Sequence, residues 1–207
     1  MLATPPHSPP LMHLPKVIVI GACAGGHEAV THILHALPAD FPAAVLVALH
    51  PPAGTTHRAA TLWSKPGQLL VRQAEHGVAI TAGQAYISPP LRHLEVDGGS
   101  RLILSDPIAG LRPVPWVDRL FLSAVAAFGD RVIAVVLTGG DSDGSQGMRA
   151  VHDVGGIGIV QEPSDAADPS MPLSSLRIDH PAYCLPLREI AGVLRKLAAQ
   201  NADSMVI

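Results

Sequence analysis

The sequence is poor in aromatic residues, poor in charge and nearly without cysteine. Aromatics make up 3% of its 207 residues, although hydrophobic residues make up 48%. A core of that composition has to be assembled from Ala, Val, Ile and Leu, and β-branched aliphatic runs suit a parallel sheet covered on both faces. A basic surplus is also missing. Fourteen Lys and Arg stand against seventeen Asp and Glu, for a formal net charge of -3. The basic residues form no run, which excludes the electrostatic footprint of a nucleic-acid binder. No apolar stretch reaches the roughly 18 residues that cross a bilayer, so membrane insertion is not expected. The amino terminus, MLATPPHSPPLMHLPK, lacks a basic start and a continuous apolar segment, so it does not read as a signal peptide. The expected location is the cytoplasm. Two cysteines, Cys23 and Cys184, are present. A cytosolic chain this long needs no disulfide staple, so each thiol calls for its own explanation.

Residues 1–15 are Pro-rich and are expected to be a disordered tail. Residues 16–200 are expected to form one domain, without internal repeats. Lys16–Ile20 (KVIVI), residues 43–49 (AAVLVAL), Val132–Leu137 and Ile157–Val160 are short apolar runs ending in turn signals, which predicts buried strands. Helix-period apolar residues over 26–37, 117–128, 144–154 and 187–200 predict helices, and Thr55–Ser64 is a further candidate. Residues 69–88 predict short strands. His93–Val96 and Arg101–Ser105 flank Asp97-Gly98-Gly99, a hairpin signal, and Ala182–Leu185 predicts a strand that places Cys184 in the core. Strands alternating with helices predict an α/β fold: a doubly wound, mostly parallel sheet with helices on both faces and an added antiparallel hairpin. Ligands of such sheets bind outside the carboxyl ends of the strands. That rule selects the turns after Ile20, Leu49 and Leu137.

The first turn, Gly21-Ala22-Cys23-Ala24-Gly25-Gly26, opens onto a helix. It is neither the dinucleotide fingerprint nor a P-loop. Its small residues let backbone N–H groups crowd around one point, where they can stabilise an oxyanion. The helix terminus predicts a lowered thiol pKa. A small core residue in a tight turn has the same appearance. The second turn offers His50 ahead of two prolines, as a base or as a structural histidine. The third, Thr138-Gly139-Gly140-Asp141-Ser142-Asp143-Gly144, offers an aspartate that either caps the next helix or orients a histidine. Taken together, the three turns supply a nucleophile, a base and an orienter at the carboxyl ends of three strands.

These residues resemble a known family. Ile20–Gly26 is similar to the IGASTGG segment of the chemotaxis protein-glutamate methylesterase (CheB) family, with Cys23 in place of the serine nucleophile. Leu49-His50-Pro51-Pro52 resembles QHMPP, which carries the catalytic histidine. Leu137–Gly144 resembles LTGMGNDG, which places the catalytic aspartate on Asp143. Gly83–Pro90 resembles GHAYIAPG, Val117–Phe121 resembles VDVLF, and Gln161 with Met171-Pro172 keeps the spacing of a Q…GMP segment. The resemblance spans about residues 16–198.

It implies a carboxylic ester hydrolase of chemotactic signal transduction. Such an enzyme removes methyl esters from glutamates of chemoreceptor helices by a Cys23-His50-Asp143 triad, with Ala24, Gly25, Gly26 and Gly140 around the oxyanion. It implies no cofactor and no metal. In the family a phosphorelay receiver domain precedes this one; here only the short tail does, so no attached receiver is expected. The departures (Cys23 for Ser, Ala24 for Thr, Gly140 for Met, Val114 for the arginine of RPSVD) leave two further readings open. One is a binding module that keeps the fold. The other is a cysteine amidase or thioesterase. His27, His32 and His35 share one predicted helix at spacings that match no metal motif and read as a solvated face. Trp63 and Trp116 read as packing residues, and Trp116 could alternatively line the site.

Overall fold

The computed structural model describes residues 16–49, 65–107 and 116–200. The expected tail, the helix over Thr55–Ser64, Trp63 and His50 lie outside the described residues. Nine strands are described. They are β1 (Val17–Ala22), β2 (Ala44–Leu49), β3 (Leu70–Gln73), β4 (Gln84–Ile87), β5 (His93–Val96), β6 (Leu102–Ser105), β7 (Val132–Val136), β8 (Ile157–Gln161) and β9 (Tyr183–Leu185). The helices are α1 (Gly26–His35), α2 (Trp116–Phe128), α3 (Ser145–Asp153), α4 (Ser170–Ile178) and α5 (Leu187–Ala199).

Seven strands form one sheet in the order β3-β4-β2-β1-β7-β8-β9, and every pairing in it is parallel. The hairpin β5-β6 is a separate antiparallel pair. The sheet is thus more uniform than the mostly parallel one expected. Its central strands carry no polar–apolar alternation because both faces are covered: every residue of β1, β2 and β7 is buried. One face carries Ile18, Ile20, Val45, Val47, Ile133 and Val135 against α1 and α5. The other carries Val17, Val19, Leu46, Ala134 and Val136 against α2, α3, Met171 of α4 and the hairpin. Those residues are Ile, Val, Leu, Ala and Met, as the aromatic-poor composition required. Each fully buried Val, Ile or Leu contributes about 1.5–3 kcal/mol of burial.

The strand order brings the predicted turns together. β1 lies between β2 and β7, with Ala22 opposite Leu49 and Gly21 opposite Val136. The chain therefore leaves all three strands at one edge of the sheet, although β1 and β7 are far apart in sequence. α4 was not anticipated. Its polar, Pro-containing start (SMPLSS) hides a helix that presents Met171 to the core; Pro172 falls in its first turn, where a missing N–H costs nothing. Cys184 corrects an expectation. It is exposed, because β9 is an edge strand and is not covered as β1, β2 and β7 are. His27 and His32 are exposed and His35 is partly so, as a solvated face requires. Trp116 is buried and packs on the buried ring of His93, with centroids 4.6 Å apart.

Candidate active site

Cys23 follows β1 and is half-buried. Its N–H donates to the Thr138 carbonyl at 3.0 Å, and its own carbonyl accepts the Gly26 N–H at 2.8 Å. The first bond ties the turn after β1 to the turn after β7. Gly25, with φ +73°, starts α1 in the left-handed region that glycine tolerates. Gly139 lets the two turns close on each other. A Cβ there would lie 2.9 Å from the Cys23 Cβ and would overlap the Met171 sulfur.

Thr138 is the hub of this edge. Its Oγ1 donates to the Ala24 carbonyl at 2.8 Å and accepts the Asp168 N–H at 2.8 Å. Its N–H donates to Gln161 Oε1 at 3.0 Å, while Gln161 Nε2 donates to the backbone and side chain of Asp165. The Gln161 of the sequence motif is thus a clamp between two loops.

The thiol does not behave as the helix terminus alone predicted. Burial pushes the Cys23 thiol above its ordinary value, and the carboxylates of Asp141 and Asp143 push the same way. The backbone N–H groups of Gly140 and Ala24 pull it down, but not enough to reverse the net rise. At neutral pH the sulfur is therefore chiefly a thiol. Those two N–H groups are the ones that act on the sulfur electrostatically. Gly26, expected beside them, spends its N–H on the Cys23 carbonyl and is buried, while Ala24 and Gly25 are exposed.

Asp143 is buried. Its Oδ2 accepts the Val117 N–H at 2.8 Å and its Oδ1 the Asp118 N–H at 2.9 Å. It thereby caps the start of α2 and not the following helix α3, which the sequence suggested and which begins at Gly144 without a side-chain cap. Each carboxylate oxygen has a second lone pair, so capping leaves capacity for a histidine N–H. The partner cap was not foreseen. Asp118 Oδ1 accepts the Gly147 N–H of α3 at 2.7 Å. Each helix thus begins on a carboxylate supplied by the other's leading segment. Burial, reinforced by Asp143, pushes the Asp118 carboxyl up to about 6 against the pull of the Gly147 N–H. Only the Val117–Asp118 pair of the resembling segment hinted at this residue. The close approach needs glycine: a Cβ on Gly21 would overlap the Val117 side chain, and one on Gly144 (φ +90°) would lie 2.7 Å from Val117 Cγ1.

His50 lies outside the described residues. It follows Leu49, whose partner across the ladder is Ala22, the residue before Cys23. Among the described residues, no group of three or more His, Cys, Asp or Glu could hold a metal ion. No helix there is long and apolar enough to cross a membrane.

Fold and site together define a doubly wound α/β domain with Cys23 and Asp143 in the turns at the carboxyl edge of the sheet. Within that class the chain belongs to the CheB methylesterase family, whose model matches residues 18–194. It is 37% identical over 183 residues to protein-glutamate methylesterase/protein-glutamine glutaminase 2 of Anaeromyxobacter dehalogenans, covering 88% of this chain and 53% of that protein. A putative protein-glutamate methylesterase/protein-glutamine glutaminase of Leptospira interrogans is 32% identical, with 91% and 97% covered. The chain thus spans about half the length of the first relative and nearly all of the second. The crystal structure of the Thermotoga maritima CheB methylesterase catalytic domain superposes with a TM-score of 0.79 at 33% identity, covering 88% of this chain and 98% of that one.

Proposed function

We propose that this chain hydrolyses glutamyl methyl esters on proteins, with Cys23 as nucleophile, His50 as general base and acid, and Asp143 as the group that orients His50. Its relatives' names give protein glutamate methyl esters as their substrate class, and the motif resemblance adds methylated chemoreceptor helices. The observation that carries the reading is the joining of the turn that holds Cys23 to the turn that holds Gly140 and Asp143, through the Cys23 N–H donated to the Thr138 carbonyl at 3.0 Å.

The upward-shifted thiol favours a serine-like order of events. A sulfur that is protonated at rest cannot wait as a thiolate; it has to lose its proton to His50 as it attacks the ester carbonyl. The tetrahedral oxyanion then receives the Gly140 and Ala24 N–H groups. Collapse breaks the C–O bond and releases methanol, which takes the proton from His50, and leaves a thioester on Cys23. Water, deprotonated by His50, attacks that thioester and yields the glutamate carboxylate and the free thiol. This is the proton economy of a serine enzyme, run with sulfur.

The test is trapping together with turnover. The protein is incubated with a methylated receptor or a model glutamyl methyl ester. Methanol release is followed, and Cys23 is searched by mass spectrometry for an acyl adduct. Wild type should form the adduct and release methanol, Cys23→Ala should do neither, and Cys23→Ser should retain measurable turnover. Equal methanol release by wild type and Cys23→Ala would refute the reading. Receptor binding without turnover would instead support the binding module.

A further inference from the structure

We propose that Asp168 is a specificity-determining residue of this site: its carboxylate, fixed over the side-chain-free Gly140, favours substrates with a positive charge beside the reacting acyl group and repels anionic ones. The substrate class is then a glutamyl ester flanked by Lys or Arg. The substrate part of this inference rests on the hydrolase reading; the charge selectivity of the cleft does not.

The Gly140 N–H draws the Cys23 thiol down against the effect of burial, and Gly140 is exposed. It stands where the resembling motif carries a methionine. Among the described residues, a Cβ built on it would meet one group within 4 Å, the Asp168 carboxyl, with Oδ2 at 3.0 Å and Cγ at 3.7 Å. The space a side chain would fill is therefore bounded by a carboxylate, at the same residue whose N–H is assigned to the developing oxyanion.

That carboxylate is held in place. Its Oδ1 accepts the Ser170 N–H at 3.0 Å and the Ser170 hydroxyl at 2.7 Å. Its backbone is pinned at both ends, by the N–H to Thr138 Oγ1 and by the carbonyl to the Gly139 N–H at 3.0 Å. Among the described residues Oδ2 accepts no hydrogen bond, and it is the oxygen nearest Gly140. The Ser170 bonds hold the carboxyl below its ordinary value, so it is ionised at neutral pH. The three described edge segments (21–26, 138–144 and 162–170) contain no Lys or Arg to offset it, and Asp141 and Asp143 add charge of the same sign.

A fixed negative charge next to an oxyanion donor opposes an anionic intermediate unless the substrate brings its own cation. At about 5 Å in a water-like dielectric, one charge changes the encounter of a singly charged reagent by roughly fourfold, in opposite directions for the two signs. The cation-to-anion ratio then changes by about 15-fold at low ionic strength, and less when salt screens it.

The experiment uses the whole protein and three thiosulfonate reagents of similar size: cationic, neutral and anionic. Their rates at Cys23 are read by mass spectrometry at low salt, with exposed Cys184 as internal control. Wild type should prefer the cationic reagent about tenfold or more over the anionic one. Asp168→Asn, which keeps an oxygen for Ser170, should cut that ratio at least about fivefold and leave the Cys184 ratio unmoved. Asp168→Lys should invert the preference. An unchanged ratio in Asp168→Asn, with thermal melting showing an intact fold, overturns the proposal. So does a wild-type ratio near one. A second arm compares glutamyl methyl ester peptides with Lys or Glu next to the ester. A shift of preference toward the Glu peptide in Asp168→Asn supports the substrate class; hydrolysis of both at unchanged ratio overturns it. If no ester is cleaved while the reagent ratio behaves as expected, the hydrolase reading fails and with it the substrate class, and Asp168 stands as the charge filter of the Cys23 cleft.

Discussion

Replacing Asp118 by Asn tests the reciprocal helix caps. The Asp118 carboxyl is pushed from 3.8 to about 6, so the folded protein holds its proton more tightly than the unfolded chain does. This group contributes stability that is fully present below about pH 4, declines as pH rises and is gone above about pH 6. A shift of about two pKa units corresponds to roughly 3 kcal/mol between fully separated states. Asp118 is partly exposed, so solvent screening brings the expected effect down to about 1–2 kcal/mol. Asn keeps the oxygen that accepts the Gly147 N–H and removes the charge that burial and Asp143 oppose. Relative to wild type, Asp118→Asn should therefore be near neutral at pH 4.5 and more stable by about 1–2 kcal/mol at pH 7.5, equivalent to about 2–6 °C in Tm. Urea unfolding at the two pH values measures it. Taking the difference between the two proteins cancels other groups, such as Asp165 and Asp168, whose carboxyls are shifted the opposite way. A difference that does not change between pH 4.5 and 7.5, or that favours wild type at pH 7.5, would show that the buried charge costs nothing and that the cap reading is wrong.

Asp143→Asn leaves one acceptor oxygen for the two N–H groups at the start of α2, so denaturant unfolding at neutral pH should show a loss of about 1–2 kcal/mol; no loss would mean that Asp143 is not the cap. Gly139→Ala drives a methyl into the Met171 sulfur and to 2.9 Å from the Cys23 Cβ. The expected cost is about 1–3 kcal/mol in urea unfolding, with a changed labelling rate at Cys23 and none at Cys184. Unaltered stability and labelling would contradict the close packing of the two turns.

Much of the fold was legible because its physics is local. A continuous run such as Val17–Ile20 or Ala44–Leu49 has no polar alternation and can only be buried on both sides, and alternation of such runs with amphipathic helices leaves a covered parallel sheet as the economical solution. The turns that end these runs were legible too, through Gly25, Gly139 and Gly144, and with them Cys23 and Asp143 as residues of one edge. Strand order was not legible: nothing local says that β7 rather than β4 lies beside β1, yet that neighbour brings Thr138 and Gly140 to Cys23. The apolar Ala182–Leu185 run could not reveal that it would fold at the sheet's rim and expose Cys184. The polar start of α4 concealed a helix whose place is decided by Met171 in the core and by Asp168 tied to Thr138. The direction of the Cys23 shift also belongs to tertiary structure. A helix terminus is visible in sequence and predicts a lowered thiol pKa, but burial and the carboxylates of Asp141 and Asp143 act through space, and their sum exceeds the pull of two N–H groups. Sequence determined which residue types stand in the turns after β1 and β7; packing across the sheet's carboxyl edge decided their electrostatics and their neighbours, because desolvation and Coulomb interactions depend on distance in space and not along the chain.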